Sequence, residues 1–459
     1  MIHHKITQFS LYLFWLLAAF CRAHDDSLIA YLSRAQRPGL WLPDDHRIQQ
    51  RWLWEMAQNA EADPRDLHPA VANLRDLIEK DTRIYLLASG MYDDIPTGFT
   101  DPSGLPVIRN YTYMLRVMNH LLAVAPQWTE HENDVGLVGL PMHALVDWPM
   151  GTFYGHDFFL DPLVNTLLKQ ILNIWGDFLA SPTSAYVLNN STTGWFSPTA
   201  LRILTDTANV DGANYTFDEL FISDPEKENR GFTSWDDFFT RQFREGRRPI
   251  AAPNNDSVIT NVCESTPFAL AHGVRKRDQF WVKGQPYSVH DMLGGDNLSE
   301  HFVGGTIYQA YLSSLSYHRW HSPVTGTIVK TVIINGTYYS EPFFNIMTTY
   351  GAFPRAPRYA QGYLSVVAAR AIVYIQADNP DIGLLAIVEV GMSEVSSCEI
   401  TVHESQRVQK GEEIGMFHFG GSTHCVLFRK GLKLSELPEP DQKNENVPVR
   451  AQLAVVDSS

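Results

Sequence analysis

The sequence predicts an α+β protein, with a helical domain over residues 24–198 followed by a β-rich domain over 199–459. Two patterns predict it. Apolar residues recur three and four apart at Leu115, Met118, Leu121 and Leu122, and again at Leu163, Leu167, Leu168, Ile171, Leu172 and Trp175, the spacing of one helix face. Later, short β-branched runs bounded by Gly, Pro, Asn or Asp read as strands: Thr327–Ile334, Ala371–Ala377, Leu384–Val390, Glu399–His403 and Cys425–Phe428. Turn clusters such as Asp101-Pro102-Ser103-Gly104 separate the helices. The charged stretch Ser223–Pro253 lies between the two halves, and Trp235–Phe243 within it reads as a short helix.

The composition suits a globular chain with a substantial core. Of 459 residues, 44% are apolar and 19% charged, which excludes wholesale disorder. Lys and Arg number 36 against 51 Asp and Glu, a net charge of −15, so a phosphate backbone is repelled and nucleic acid is not expected as a partner. Residues 1–23 read as a secretory signal peptide. The apolar run Phe9–Phe20 has twelve residues, where a spanning helix needs about 20, and Cys21-Arg22-Ala23 places small residues for cleavage after Ala23. An uncleaved anchor is the alternative, and only then is membrane contact expected. Seven Asn-x-Ser/Thr sites, at Asn110, Asn189, Asn190, Asn214, Asn255, Asn297 and Asn335, agree with passage through the secretory pathway. After cleavage Cys263, Cys398 and Cys425 remain, an odd number that leaves at least one thiol unpaired and is too small for a disulfide framework.

Three strings carry the chemistry. The first is Phe232-Thr233-Ser234-Trp235-Asp236-Asp237-Phe238-Phe239-Thr240-Arg241, leading to Arg248-Pro249-Ile250. The second is Tyr317-His318-Arg319-Trp320-His321-Ser322-Pro323. The third runs from Val408 through Lys410-Gly411-Glu412-Glu413 to Phe419-Gly420-Gly421-Ser422-Thr423. A Gly-Ser pair alone is more often a turn. A His-x-x-His pair alone is more often structural, or half of a zinc site that His418, His424 or Cys425 would complete. No second Cys/His pair has ligand spacing, so no metal is expected.

Together and in this order the strings resemble those of the phosphatidylserine decarboxylase family of pyruvoyl-dependent enzymes, over roughly Phe232 to Lys430. The helical half is similar to the extra domain of a fungal soluble branch that includes L-tryptophan decarboxylases, with Trp175-Gly176-Asp177-Phe178-Leu179 and Gly194-Trp195 in support. The resemblance implies a carboxy-lyase that first cuts itself between Gly421 and Ser422. The Ser422 hydroxyl attacks the Gly421 carbonyl carbon, the resulting ester eliminates, and hydrolysis leaves a pyruvoyl group with loss of ammonia. That covalent group is the cofactor; no pyridoxal phosphate motif is present. The cleaved chains, a large one ending at Gly421 and a small one over 422–459, remain partners. The resemblance assigns the base for cleavage to His321 and a decarboxylation role, as proton donor or positioner, to His318. His418 and His424, which flank the cleavage site, read as strand residues with solvent-facing imidazoles.

Two departures bear on mechanism and substrate. The family orients its base with an Asp in S-P-x-D-G, and Cys263 stands at that place here. Glu264 beside it is the expected replacement, with Asp256 a more distant one and a Ser-His dyad a third arrangement. Ala368-Ala369-Arg370 replaces the N-E-R of the phospholipid enzymes, which points to another substrate. The expected reaction is decarboxylation of a free aromatic L-amino acid such as tryptophan. The alternatives are a phosphatidylserine decarboxylase and a non-catalytic secreted module.

Overall fold

A computed structural model describes residues 46–93, 106–131, 134–137, 140–210, 212–278, 287–340, 347–348, 351–352, 361–394, 398–440 and 446–457. The expected leader and the turn at Asp101–Gly104 lie outside the described residues.

The helical layer comprises α1 (His46–Ala62), α2 (Pro69–Lys80), α3 (Thr82–Asp93), α4 (Tyr111–Leu121), α5 (Pro141–Met150), α6 (Phe153–Leu160), α7 (Pro162–Ala180) and α8 (Pro198–Ala208). The longest, α7, starts where Asp161 accepts from the N–H groups of Leu163 and Val164 with Pro162 at the first position. Those are the two strongest helix-start devices. It buries Val164, Leu168, Ile171, Leu172, Trp175 and Leu179 on one stripe. Asn110 caps α4 in the same way through the Tyr113 N–H. The apolar cluster under these helices continues through α9 (Phe217–Leu220) and α10 (Trp235–Phe239), and it takes in Leu315, Tyr338, Tyr339 and Phe419 from the second half. The helix expected over Trp235–Phe243 stops at Phe239, where the Thr240 N–H closes onto Asp236 and Phe238.

The second half is built on one seven-stranded antiparallel sheet, ordered β13 (Arg407–Val408), β7 (Gly326–Ile334), β10 (Arg370–Ala377), β11 (Leu384–Met392), β15 (Gly421–Phe428), β5 (Thr306–Leu312), β4 (Thr266–His272). Both faces of its central strands are buried. One face carries Leu385, Ile387, Val426, Phe428 and Ala310. It packs against a three-stranded sheet of β12 (Cys398–Ile400), β14 (Glu413–Phe417) and β6 (Arg319–His321) through Ile414, Phe417 and Trp320. The other face carries Ala386, Val388, Cys425 and Leu427. The strand expected at Cys425 begins four residues earlier, at Gly421, because β11 and β5 pair along its whole length. Pairing with its neighbours overrides the poor strand propensity of Gly421. A small sheet of β3 (Val258–Thr260), β17 (Gln452–Val456) and β16 (Leu434–Ser435) adds a third layer, and two strand pairs, β1 (Trp128–His131) with β2 (Asp134–Leu137) and β8 (Met347–Thr348) with β9 (Gly351–Ala352), complete the described strands. Among the described residues, no helix is long and apolar enough to cross a membrane.

Candidate active site

The three strings meet. Phe239 of α10 lies nearly parallel to the His318 ring at 4.0 Å. Arg241 donates to the carbonyls of Leu315 and Ser316, fixing the turn that carries His318. Arg319 binds the Thr240 carbonyl and pairs with Glu413. Phe417 N–H donates to the His318 carbonyl, and His418 bridges Asp236 and Glu399 at 2.9 and 2.8 Å. Lys410 is spent on the carbonyls of Ala252, Asn255 and Val258. Gly411 must be glycine: its φ is +81°, and a Cβ there would sit 2.6 Å from Ile250.

His318 is fully buried, and burial together with the Arg241 charge holds its pKa well below the ordinary value, so the ring is neutral. His321 is neutral for the same reason, pushed down to about 3 by burial and then by Arg450. Its Nδ1 lies 3.0 Å from the Gly411 carbonyl and its Nε2 lies 3.1 Å from the Tyr317 hydroxyl. A carbonyl only accepts, so Nδ1 carries the proton and the Nε2 lone pair takes the Tyr317 O–H. The ring borders a cleft of about 570 Å³ lined in part by Arg244, Arg248 and Arg450.

The expectation that Glu264 orients His321 is not met. Both its oxygens face Arg248, at 3.0 and 2.6 Å, and they also accept from Asn446 and the Val449 N–H. The buried Arg248 guanidinium pairs with this carboxylate, so Glu264 serves as its counter-ion. Asp256 is exposed in the turn before β3.

Gly421 and Ser422 open β15, and Gly420 before them takes a φ of +106°. Ser422 is fully buried and its Oγ has no hydrogen-bond partner, a costly state for a hydroxyl that does nothing else. Alternation places Ser422, His424 and Val426 on one face. In register, Ser422 lies opposite Gly391, and His424 lies opposite Glu389. His424 is not solvent-facing, as the sequence suggested, but fully buried. Its Nε2 is 2.9 Å from Ser265 Oγ, and burial pushes its pKa down to about 3. Cys263 reaches Glu389 rather than any histidine, its Sγ lying 3.5 Å from the carboxyl, and burial raises the Glu389 pKa well above the usual carboxylate range.

Cys263, Glu389 and His424 bring one donor atom each within 4.8 Å of one another. Within it the Cys263 thiol donates to the Glu389 carboxyl. Cys263, Cys398 and Cys425 are all unbridged.

Sequence reading missed Glu389, although a carboxylate inside the apolar run Leu384–Val390 was the signal for it. It also missed Glu394, which follows β11. Glu394 accepts from the Met142 and His143 N–H groups at the start of α5, while Ser393 bonds His143 Nδ1 at 2.6 Å. No local motif marks that contact, which spans some 250 residues.

Comparison with known proteins agrees with this architecture. Residues 68–204 and 235–452 each match a family profile described as phosphatidylserine decarboxylase. A decarboxylase named iboD from Amanita muscaria is 43% identical over 68% of this chain and 91% of its own. An L-tryptophan decarboxylase of Psilocybe cyanescens is 38% identical over 65% of this chain and 70% of its own. The corresponding enzyme of Psilocybe cubensis is 32% identical over 85% and 88%. The helical half, which the resemblance set apart from the phospholipid enzymes, thus matches a profile that carries their description.

Proposed function

Because the chain belongs to the phosphatidylserine decarboxylase family and is a decarboxylase, we propose that it is a pyruvoyl-dependent enzyme acting on a free aromatic L-amino acid. The observation that carries the pyruvoyl reading is the buried, unpartnered Ser422 hydroxyl directly after Gly421. Attack by Ser422 Oγ on the Gly421 carbonyl carbon forms an ester as the Gly421–Ser422 C–N bond breaks. Loss of the Ser422 Cα proton then breaks the Cβ–O bond and frees the Gly421 carboxylate. Water replaces the nitrogen, which leaves as ammonia. The group so formed supplies an electron sink for carbon dioxide departure. Around it, His318 is held by the Phe239 ring and the Arg241-clamped turn, where it offers a neutral imidazole to move a proton.

The substrate reading rests on the two tryptophan-decarboxylating relatives and on Ala368-Ala369 before Arg370. Arg370 itself is occupied by the carbonyls of Met292, Ala368 and Asp291. Phosphatidylserine is the second reading, favoured by the description of the matching profiles. Intact mass measurement tests the first step: a small chain from residue 422 to 459, lighter by one ammonia than one starting with serine, is expected. Carbon dioxide release from free tryptophan, phenylalanine and tyrosine, against phosphatidylserine vesicles and without pyridoxal phosphate, tests the second. Turnover confined to vesicles moves the assignment to the phospholipid.

We also propose entry into the secretory pathway, supported by the exposure of all seven sequon asparagines. Endoglycosidase treatment should lower the apparent mass of secreted protein, and unglycosylated protein with Met1 retained would contradict it.

A further inference from the structure

We propose that His424, backed by Glu389, is the base that takes the Ser422 hydroxyl proton during self-cleavage, in place of His321; this rests on the self-cleavage reading above. The hydrogen-bond pattern suits one tautomer of His424. With Ser265 Oγ donating its one hydrogen to the Cys263 carbonyl at 3.2 Å, it accepts from His424 Nε2 at 2.9 Å. In that arrangement Nε2 carries the proton. Nδ1 holds a lone pair that is buried and has no partner, the form a general base requires.

Ser422 has the complementary deficiency, a buried hydroxyl with no acceptor. The two residues are two apart on one strand face, about 7 Å between Cα atoms. Ser422 Oγ and His424 Nδ1 are not bonded to each other in the structure, and a side-chain rotation or one bridging water would bring the hydroxyl to the imidazole. Glycine opposite Ser422 leaves that side of the pair open. His321 offers no such lone pair, since Tyr317 and Gly411 occupy both its nitrogens.

Glu389 supplies what the Cys263 position lacks. It comes from β11, directly across from His424, with its carboxyl within 4.8 Å of the imidazole donor atom and of the Cys263 sulfur. Buried and held neutral, this carboxyl flanks the imidazole as a hydrogen-bonding group rather than as an anion, so Glu389 is a positioning residue. In the step, the Ser422 O–H bond breaks and the proton passes to Nδ1. The bond from Oγ to the Gly421 carbonyl carbon forms, and the C–N bond to Ser422 breaks. The proton then passes from Nδ1 to that nitrogen.

The experiment follows conversion of freshly made full-length precursor by intact mass for wild type, His424→Gln, His321→Gln and Ser265→Ala, with circular dichroism to verify folding. His424→Gln is expected to fold and to slow cleavage about 10²–10⁴-fold, the usual worth of a general base. His321→Gln should slow it less than about tenfold. Ser265→Ala frees the tautomer and should slow it several-fold. Cleavage of folded His424→Gln at the wild-type rate, or an equal or larger loss in His321→Gln, overturns the assignment. Should His424→Gln fail to fold, Ser265→Ala decides, and an unchanged rate there overturns it. A wild-type chain that stays whole overturns the self-cleavage reading itself, an outcome distinct from a wild type that cuts alongside a cutting His424→Gln.

Discussion

The turn bearing His318 and His321 and the strand bearing Ser422 and His424 contain the same kinds of groups in opposite states. In the first, the groups around His321 and Glu264 are paired off. His321 is held between Tyr317 and Gly411, Glu264 is bound by Arg248, and Arg241 and Arg319 are tied to backbone carbonyls. In the second, a hydroxyl and an imidazole nitrogen are buried without partners, next to a carboxyl that meets only a thiol. Saturated networks rigidify a fold, whereas unsatisfied buried groups persist where chemistry uses them. The network around His321 and Glu264 therefore reads as the frame, and the strand face of Ser422 and His424 is where the proposed self-cleavage would act, with His318 keeping the decarboxylation role proposed for it.

Three measurements sharpen or break this contrast. The largest effect is expected in the frame. Glu264→Gln leaves the Arg248 guanidinium buried without its counter-ion and should cost about 3–5 kcal/mol in denaturant unfolding. At temperatures where the variant is folded, its cleavage rate should stay within about tenfold of wild type; a folded variant slowed a hundredfold would return Glu264 to the catalytic role. Next comes Cys263→Asp, which puts back the residue that the family pattern has. Here it would set a second carboxyl against Glu389, and a loss of about 1–3 kcal/mol is expected. A variant that is stable and cuts faster would mean that His321 can be recruited after all.

The smallest effect concerns the His418 bridge between the two regions. Burial opposes its charge, but Asp236 and then Glu399 outweigh burial and raise its pKa to about 9. The folded value lies above the unfolded one of about 6.5. The bridge's contribution is therefore complete below about pH 6.5 and is lost as pH rises through about 9. The stability gap between wild type and His418→Gln, on the order of 1 kcal/mol for a part-exposed pair, should shrink from pH 6 to pH 10. A gap that widens would mean His418 is not held as a cation.

Much of this molecule was legible in the chain. The stripe of α7 and the β-branched runs of β7, β10 and β11 appear where their periods place them, since a buried face imposes its spacing on any sequence that forms it. Gly421-Ser422 and the three strings gave the reaction class, because that chemistry needs those residue types in that order. Other features were not legible. The strand identity of Gly421–Thr423 comes from pairing with β11 and β5. The direction of the His321 ring depends on a carbonyl ninety residues away, and the partner of Glu264 on the course of the Arg248 segment. Glu389 and Cys263 meet over a separation of 126 residues. The sequence by itself determined which groups this protein has and which periodic faces bury them, because propensity and periodicity are local. Only the tertiary structure decided which partner each buried histidine nitrogen meets, because a hydrogen bond is settled by whichever group the fold brings within about 3 Å.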